Sequence, residues 1–264
     1  NPDGSWKDLT KQKNSAADNS PTASQMIRAL GLAMASKKYR ELQDIIGENN
    51  FSVNGNEICF ATIGDASTSE GLFWEVINAG GVLQVPLIVS IWDDGYGISV
   101  PKKLQTTKSS ISEVLKGFQR DEKGNGYDIY VVKGWNYPQL VATYKMAADK
   151  TRKTHIPAIV HVEELTQPQG HSTSGSHERY KGAERLQWEK EHDCNAQFKK
   201  WILENKIATQ EEIDKIESDA KKIVAEQKKL SWYKFHQPIL DEIKEVVDLF
   251  RKIAEDSKVK DFIY

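Results

Sequence analysis

The 264-residue sequence contains very little cysteine and has almost no net charge. Cys59 and Cys194 are its only cysteines, too few for a disulfide framework or a structural zinc site, and this favours an intracellular location. The 36 basic and 38 acidic side chains leave a formal charge of −2, so no general attraction to nucleic acid or to an anionic membrane is expected. No apolar run approaches the roughly 20 residues that a transmembrane helix needs.

The beginning of the chain lacks both a methionine and a signal-type apolar segment. It opens Asn-Pro-Asp at residues 1–3. We therefore expect the chain to be part of a longer polypeptide, although its length is ample for a sizeable core of its own.

The distribution of charge divides the sequence near residue 180. Residues 178–264 carry 37 of the 74 charged side chains, have no glycine after Gly182, and contain Pro238 as their one proline. Their apolar residues recur at helical spacing. The sequence therefore predicts an α/β domain over residues 1–180, followed by a charged C-terminal helical extension over residues 181–264.

Short apolar runs in the first part have the length and composition of buried strands. They occupy residues 58–63, 87–92, 129–132 and 158–162, and helical segments fall near residues 22–37, 69–83 and 137–150. Near-continuous apolar strands that alternate with helices predict a parallel sheet with helices on both faces. In such a sheet, ligands bind beyond the carboxyl ends of the strands.

The turn after the first strand has the composition of a phosphate site. Residues 64–71 are Gly-Asp-Ala-Ser-Thr-Ser-Glu-Gly. At a strand-to-helix turn, such residues can present backbone N–H groups to a phosphate, and Asp65 can hold a divalent cation. Asp, Ser and Thr are also ordinary helix N-caps, and for one such turn taken alone capping is the more common role.

A second acidic turn, Asp-Asp-Gly-Tyr-Gly at residues 93–97, follows the next strand. Asp94 lies one helix and one strand after Asp65, so neighbouring parallel strands would bring both carboxylates to one edge of the sheet. Together with a carbonyl of the glycine-containing turn, they could supply three oxygens to Mg²⁺. A plain turn is the alternative, but two acidic turns at matching strand ends favour the metal site.

These turns resemble the Gly-Asp-Gly and Asn-Asn motif of thiamine diphosphate enzymes. The version here resembles the alpha subunit of the decarboxylating component of 2-oxo acid dehydrogenase complexes, and is closest to the branched-chain (2-oxoisovalerate) type. Ser-Pro-Thr-Ala-Ser-Gln-Met at residues 20–26, Ser-Glu-Gly at 69–71 and Gly-His-Ser-Thr-Ser at 170–174 agree with it in order and spacing. The resemblance covers about residues 15–190.

The resemblance implies a fold, an activity and partners. The fold is the thiamine diphosphate-binding fold, and the activity is oxidative decarboxylation of a 2-oxo acid with acyl transfer to lipoyl. The implied partners are a beta-like half, fused or separate, and the lipoyl domain of an acyltransferase, within a homo- or hetero-oligomer. The implied location is the cytoplasm, or the mitochondrial matrix in a eukaryote, and no nucleic acid or membrane partner is expected.

The resemblance also assigns roles to individual residues. The Mg²⁺ ligands would be Asp65, Asp94 and the carbonyl of Tyr96. Contacts with thiamine diphosphate fall on Ser20, Thr22, Ala66, Ser67, Trp92 and His171. His171 would also be catalytic, assisting acyl transfer to lipoate. A K⁺ site of branched-chain members falls on Asn19, Pro21, Ser24 and Gln25.

Two departures from the family pattern leave alternatives open. Ala66 replaces the second glycine and adds a methyl group beside the phosphate, and Asp93 and Asp94 replace two asparagines. The added carboxylates are tolerated if the metal neutralises them or if one of them stays protonated. The chain could instead be a transketolase-type thiamine enzyme, or a non-catalytic pairing module with a lapsed cofactor site.

Overall fold

The computed structural model describes residues 5, 8, 20–171, 177–255, 257 and 258. Contacts divide the chain into two compact units, Asn1–Lys200 and Trp201–Tyr264. The α-helices are α1 (Gln25–Glu41), α2 (Gln43–Ile46), α3 (Gly71–Leu83), α4 (Ile111–Val114), α5 (Tyr137–Thr154), α6 (Ala183–Glu191), α7 (Cys194–Glu204) and α8 (Gln210–Glu255). The strands are β1 (Cys59–Gly64), β2 (Leu87–Trp92), β3 (Tyr96–Gly97), β4 (Val100–Pro101), β5 (Asp128–Lys133) and β6 (Ala158–Glu163).

The first unit is built on a four-stranded parallel sheet with the order β1-β2-β6-β5. The four predicted strands are confirmed, and their ends lie within one residue of the expected positions. The sequence did not predict the short antiparallel pair β3–β4, which forms the second, two-stranded sheet. With two residues in each strand, it is too short to produce an apolar alternation.

Alternate residues of the strands supply two separate apolar cores. On one face, Leu87, Val89 and Ile91 of β2 pack with apolar residues of α1 and α3. On the other face, Ile88 of β2 and residues of β5 and β6 pack with Ala147 of α5. The predicted parallel sheet with helices on both faces is therefore confirmed.

Local chemistry explains where two of the predicted helices begin. α1 begins at Gln25 rather than near residue 22, because the preceding residues form a turn in which Ser24 N–H and its hydroxyl donate to Pro21 O. α5 begins at Tyr137, since the side chain of Asn136 accepts from Gln139 N–H and Pro138 suits the first turn.

The second unit consists largely of α8, a helix of 46 residues. The predicted C-terminal helical extension is helical, and α8 continues through Pro238. Most apolar side chains along α8 are exposed, Ile223 and Phe250 among them. No helix in the described part of the chain is both long and apolar enough to cross a membrane.

Candidate functional site

The carboxyl edge of the sheet brings the two acidic turns together. The register pairs Gly64 of β1 with Trp92 of β2, so Asp65 and Asp93 leave neighbouring strands at the same level. The backbone N–H of Asp65 donates to Trp92 O (3.0 Å), and that of Asp93 donates to Val162 O at the end of β6 (2.8 Å). Three adjacent strands therefore fix the backbone of both turns.

Asp65 is a buried carboxylate that lacks a complete set of partners. It begins a 3₁₀ turn, Ala66–Ser69, and its backbone carbonyl accepts from both the N–H and the hydroxyl of Thr68. Among the described residues, its Oδ2 has no hydrogen-bond partner. Burial, followed by the charges of Asp93 and Asp94, raises the pKa of Asp65 to about 7. A carboxylate in this position is costly unless a cation faces it.

Asp93, in contrast, is fully partnered from within the protein. Its Oδ2 accepts from Lys102 Nζ (2.8 Å) and lies 3.0 Å from His161 Nε2, while its Oδ1 accepts from Gly95 N–H (2.8 Å). Burial acts to raise the pKa of Asp93, but the hydrogen bonds from His161 and Lys102 outweigh it and lower the pKa. The expectation that a metal or a bound proton must neutralise this added carboxylate is therefore wrong for Asp93, because Lys102 supplies the compensating charge.

Asp94 and Tyr96 present oxygen atoms on the other side of the same turn. Asp94 Oδ1 accepts from Tyr96 N–H (3.0 Å), and burial raises the pKa of Asp94. Tyr96 stands opposite Pro101 in the β3–β4 pair. Because Lys102 N–H donates to Gly95 O, Tyr96 and Pro101 form a non-hydrogen-bonded pair of this ladder, and the Tyr96 carbonyl receives no hydrogen bond from the residue opposite.

Helix α6 holds this turn from outside the sheet. Arg185 Nη2 donates to the backbone carbonyl of Asp94 (2.8 Å). The guanidinium of Arg185 and the ammonium of Lys181 lie 5.6 and 5.2 Å from the centroid of the Tyr96 ring. Glu189 binds both cations, and Lys181 and Glu189 are almost completely buried. The position of the Asp94 backbone is thus fixed by a packed charge cluster.

The oxygen atoms of Asp65, Asp94 and the Tyr96 carbonyl are of the kind that binds Mg²⁺. The ion prefers oxygen ligands in an octahedron and usually takes one or two carboxylates from the protein together with phosphates and water. The unpartnered Oδ2 of Asp65 is the observation that a bound cation would explain. Within the described residues, no group of three or more His, Cys, Asp and Glu side chains could hold a metal, so the alternative of a larger side-chain cage finds no support there.

Comparison with known proteins assigns the chain to a family. The family described as "Dehydrogenase E1 component" matches residues 3–238. The chain belongs to the dehydrogenase E1 component family. This confirms the resemblance to alpha subunits that the sequence motifs indicated.

Individual relatives of this E1 chain carry two different names. It is 30% identical over 181 residues to the pyruvate dehydrogenase E1 component subunit alpha of Rickettsia felis, covering 67% of this chain and 51% of the relative. It is 27% identical over 248 residues to the 2-oxoisovalerate dehydrogenase subunit alpha 1, mitochondrial, of Arabidopsis thaliana, covering 91% of this chain and 47% of the relative. The chain thus spans about half the length of the curated relatives it matches.

Three of the predicted cofactor contacts of the E1 chain are exposed residues. Ser20 and Thr22 are exposed in the turn before α1, and the Gln25 amide donates to Thr62 O of β1 (3.4 Å). The indole N–H of Trp92 donates to Ser90 Oγ (2.9 Å), and this side chain is 52% exposed. Of the predicted K⁺ ligands, Asn19 lies outside the described residues.

The described part of the His171 segment connects with the acidic turn through aromatic packing. His171 itself is exposed. A Cβ added to the preceding Gly170 would collide with the hydroxyl of Tyr180, whose ring centroid lies 5.6 Å from that of Tyr96. Residues 172–176, which include the last three residues of the Gly-His-Ser-Thr-Ser motif, lie outside the described residues. The base of the segment therefore packs toward the turn that carries Asp94.

Ala66 and Ser67 form the first turn after Asp65, and the methyl group of Ala66 faces Gly97. A Cβ built on Gly97 would lie 2.7 Å from the Cβ of Ala66 and would also meet the Gln105 amide. Gly97 thus makes room for the methyl group that distinguishes Ala66 from the glycine of the family motif.

We expect Gly97→Ala to lower the free energy of unfolding by about 1–3 kcal/mol, the usual cost of overpacking. Ala66→Gly in the same chain removes the colliding methyl group and should restore part of the loss, which urea denaturation of both variants will measure. Gly117→Ala is the matched control, since an added Cβ meets nothing within 4 Å there. Equal losses in the single and the double variant would contradict the proposed contact.

Sequence reasoning missed three residues that shape the site: Lys102, His161 and Arg185. His161 could have been noticed as a polar residue within the apolar run 158–162. Lys102 and Arg185 carry no such signal, because each is one charged residue among many in its segment.

Proposed function

We propose that this chain is the alpha-like half of a thiamine diphosphate-dependent 2-oxo acid dehydrogenase and that it binds the diphosphate through Mg²⁺. The observation that carries the proposal is the buried, unpartnered Oδ2 of Asp65 in a chain of the E1 family. Asp65, Asp94 and the carbonyl of Tyr96 would hold the cation. Diphosphate oxygens and water would complete its coordination.

The remaining residues of the site would bind and orient the cofactor. Thiamine diphosphate, when bound, supplies the carbanion stabilisation that decarboxylation of a 2-oxo acid requires. Ala66 and Ser67, in the turn after β1, would contact the diphosphate. Ser20 and Thr22 would line the cofactor from the turn before α1, and Trp92 from the end of β2.

His171 would act at the rim of the site. Its imidazole can donate a hydrogen bond to the diphosphate or transfer a proton during acyl transfer to lipoate. This is the catalytic role that we propose for it.

We propose separate roles for the two parts of this chain and for its partners. Residues 1–180 would form the cofactor domain, and residues 181–264 would lead toward a beta-like half that completes the active site. A lipoyl domain would accept the acyl group, and the whole would be a homo- or hetero-oligomer. The location would be cytoplasmic, or the mitochondrial matrix in a eukaryote.

The proposed substrate is a branched-chain 2-oxo acid. The sequence motif Gly-His-Ser-Thr-Ser at residues 170–174 supports this substrate, and one relative is named for 2-oxoisovalerate. A second relative is named for pyruvate, which makes pyruvate the competing substrate. A K⁺ ion at Pro21, Ser24 and Gln25 would accompany the branched-chain assignment. In the described structure the Pro21 carbonyl already accepts from Ser24, so the ion would have to displace that bond.

The experiment is an assay of the full-length protein that contains this chain. Reduction of an artificial electron acceptor is measured with 2-oxoisovalerate, pyruvate and 2-oxoglutarate, with and without thiamine diphosphate and Mg²⁺. Cofactor-dependent turnover fastest with 2-oxoisovalerate supports the proposal, whereas fastest turnover with pyruvate changes the substrate alone. Transfer of two-carbon units between sugar phosphates would indicate a transketolase-type enzyme, and absence of cofactor binding would indicate a lapsed site.

We expect the isolated 264-residue chain to show no turnover with any of these substrates and to bind thiamine diphosphate weakly, because half of the cofactor pocket would be missing. Calorimetric titration of the chain alone and of the full-length protein, both with Mg²⁺, checks this. Measurable turnover by the chain alone would mean that it holds a complete active site.

A further inference from the structure

A buried chain of hydrogen bonds lies directly behind the acidic turn. Ser112 Oγ of α4 lies 2.9 Å from His161 Nδ1 of β6, and His161 Nε2 lies 3.0 Å from Asp93 Oδ2. The three residues are 7%, 0% and 1% exposed. Lys102 Nζ joins the same oxygen of Asp93 at 2.8 Å. Two side chains, His161 and Lys102, thus contact one carboxylate, and Ser112 is joined to it through His161.

This order of residues matches a nucleophilic triad only in its residue types. A catalytic serine must reach a substrate, whereas Ser112 is buried with its hydroxyl against the imidazole. This chain of hydrogen bonds ends on Asp93, next to the candidate metal ligand Asp94. We therefore expect it to affect the conformation of the acidic turn.

The partners of His161 determine which of its nitrogens carries the proton. An ionised Asp93 can only accept, so Nε2 must donate to it. Lys102 already balances the charge of Asp93, and a neutral imidazole leaves no uncompensated charge in the interior. Nδ1 of the neutral ring then accepts from the hydroxyl of Ser112, which fixes the orientation of the ring.

The orientation of Asp93 in turn fixes the acidic turn. With Oδ2 held by His161 and Lys102, Oδ1 accepts from Gly95 N–H at 2.8 Å. Gly95 has a positive φ of 85°, a conformation that the turn needs in order to continue toward Tyr96. If Asp93 were released, the turn would lose this bond between the two candidate ligands Asp94 and Tyr96.

We propose that His161 is a positioning residue for the cation site. Held by Ser112, it fixes the Asp93 carboxylate, whose Oδ1 in turn accepts from Gly95 N–H and so holds the backbone between the ligands Asp94 and Tyr96 in place. This inference rests on the proposed function, because it takes Asp65, Asp94 and Tyr96 as the Mg²⁺ ligands. Hydrogen-bonding partners that orient metal ligands elsewhere change metal affinity by about 10–100-fold when they are removed.

The test measures Mg²⁺ affinity in the full-length protein, with thiamine diphosphate held at a fixed saturating concentration. His161→Leu removes the donor to Asp93 and should raise the apparent Kd for Mg²⁺ by about 10–100-fold. His161→Gln keeps an amide donor and should recover most of this loss. Melting temperatures of the metal-free variants are recorded in parallel, to separate positioning from general destabilisation.

The chain offers matched controls at two other buried residues. His155 is 6% exposed and its Nε2 lies 2.9 Å from Gly55 O, and Ser36 is 5% exposed and donates to Glu57 O. His155→Leu and Ser36→Ala should lower the melting temperature and leave the Kd for Mg²⁺ unchanged. Ser112→Ala should raise that Kd without abolishing folding, and it carries the test if His161→Leu does not fold.

The outcomes separate this inference from the proposed function. A folded His161→Leu variant with the wild-type Kd for Mg²⁺, in a protein where Asp65→Ala loses the metal, would overturn the positioning role alone. Absence of Mg²⁺-dependent cofactor binding in the wild-type protein would overturn the metal assignment and this inference together. A Ser112→Ala variant indistinguishable from Ser36→Ala, or a His161→Gln variant no better than His161→Leu, would also contradict the positioning role.

Discussion

Replacing Asp65 by alanine in the full-length protein should abolish Mg²⁺-dependent binding of thiamine diphosphate. The substitution removes a charged ligand from a hard cation, and the diphosphate loses its link to the protein. Because loss of an outer partner of a metal ligand alone costs about 10–100-fold in affinity, we expect loss of the ligand itself to exceed about 100-fold. Calorimetric titration with the cofactor at several Mg²⁺ concentrations measures the effect.

The matched control is Asp121→Ala. This aspartate accepts from the backbone N–H of Lys123 and is exposed in a turn before β5, outside the two acidic turns. Its removal should leave cofactor binding unchanged. Unchanged affinity in Asp65→Ala would mean that the metal site lies elsewhere.

Asp65→Asn separates the metal role of this residue from its contribution to the fold. In the metal-free protein, the amide removes a buried negative charge whose Oδ2 has no partner and which interacts unfavourably with Asp93 and Asp94. The melting temperature of the metal-free variant should therefore rise, while Mg²⁺-dependent cofactor binding falls as in Asp65→Ala. A residue that only supported the fold would show losses in both measurements.

The sequence predicts the sheet well because burial on both faces leaves a simple signal. The run 87–92 is apolar apart from Ser90, since Ile88 and Val89 face different cores. The same reasoning predicts that Asp65 and Asp94 follow neighbouring strands. Apolar patterning is less informative for α8, where it predicts helical structure but not a single helix that continues through Pro238.

Contacts between residues distant in sequence explain what could not be predicted. Arg185 donates to the Asp94 carbonyl across 91 positions, and His161 reaches Asp93 across 68. Nothing in the local sequence of either residue indicates its partner. The neutralisation of Asp93 by Lys102 was missed for a similar reason, because the hairpin β3–β4 that returns the chain to Asp93 is too short to predict.

A second large effect is expected at His171. In the full-length protein, His171→Ala should lower the rate of acyl transfer to lipoate by about 10²–10⁴-fold, the range typical of a positioned acid–base group. Affinity for thiamine diphosphate should fall much less, because the proposed metal ligands and the backbone of Ala66 and Ser67 stay in place. The imidazole is thus expected to act on the reaction more than on cofactor binding.

Two measurements on the same His171→Ala variant separate these effects. Acylation of a lipoyl domain reports acyl transfer, and titration with thiamine diphosphate reports binding. His236→Ala, which removes another imidazole in helix α8, serves as the control and should change neither. Since Gly170 packs against Tyr180 and Tyr180 against Tyr96, a role for His171 requires that this base of the segment hold its position. If the His171→Ala variant acylates the lipoyl domain at the wild-type rate and binds the cofactor normally, the segment is only a surface turn. His171 would then have no catalytic role.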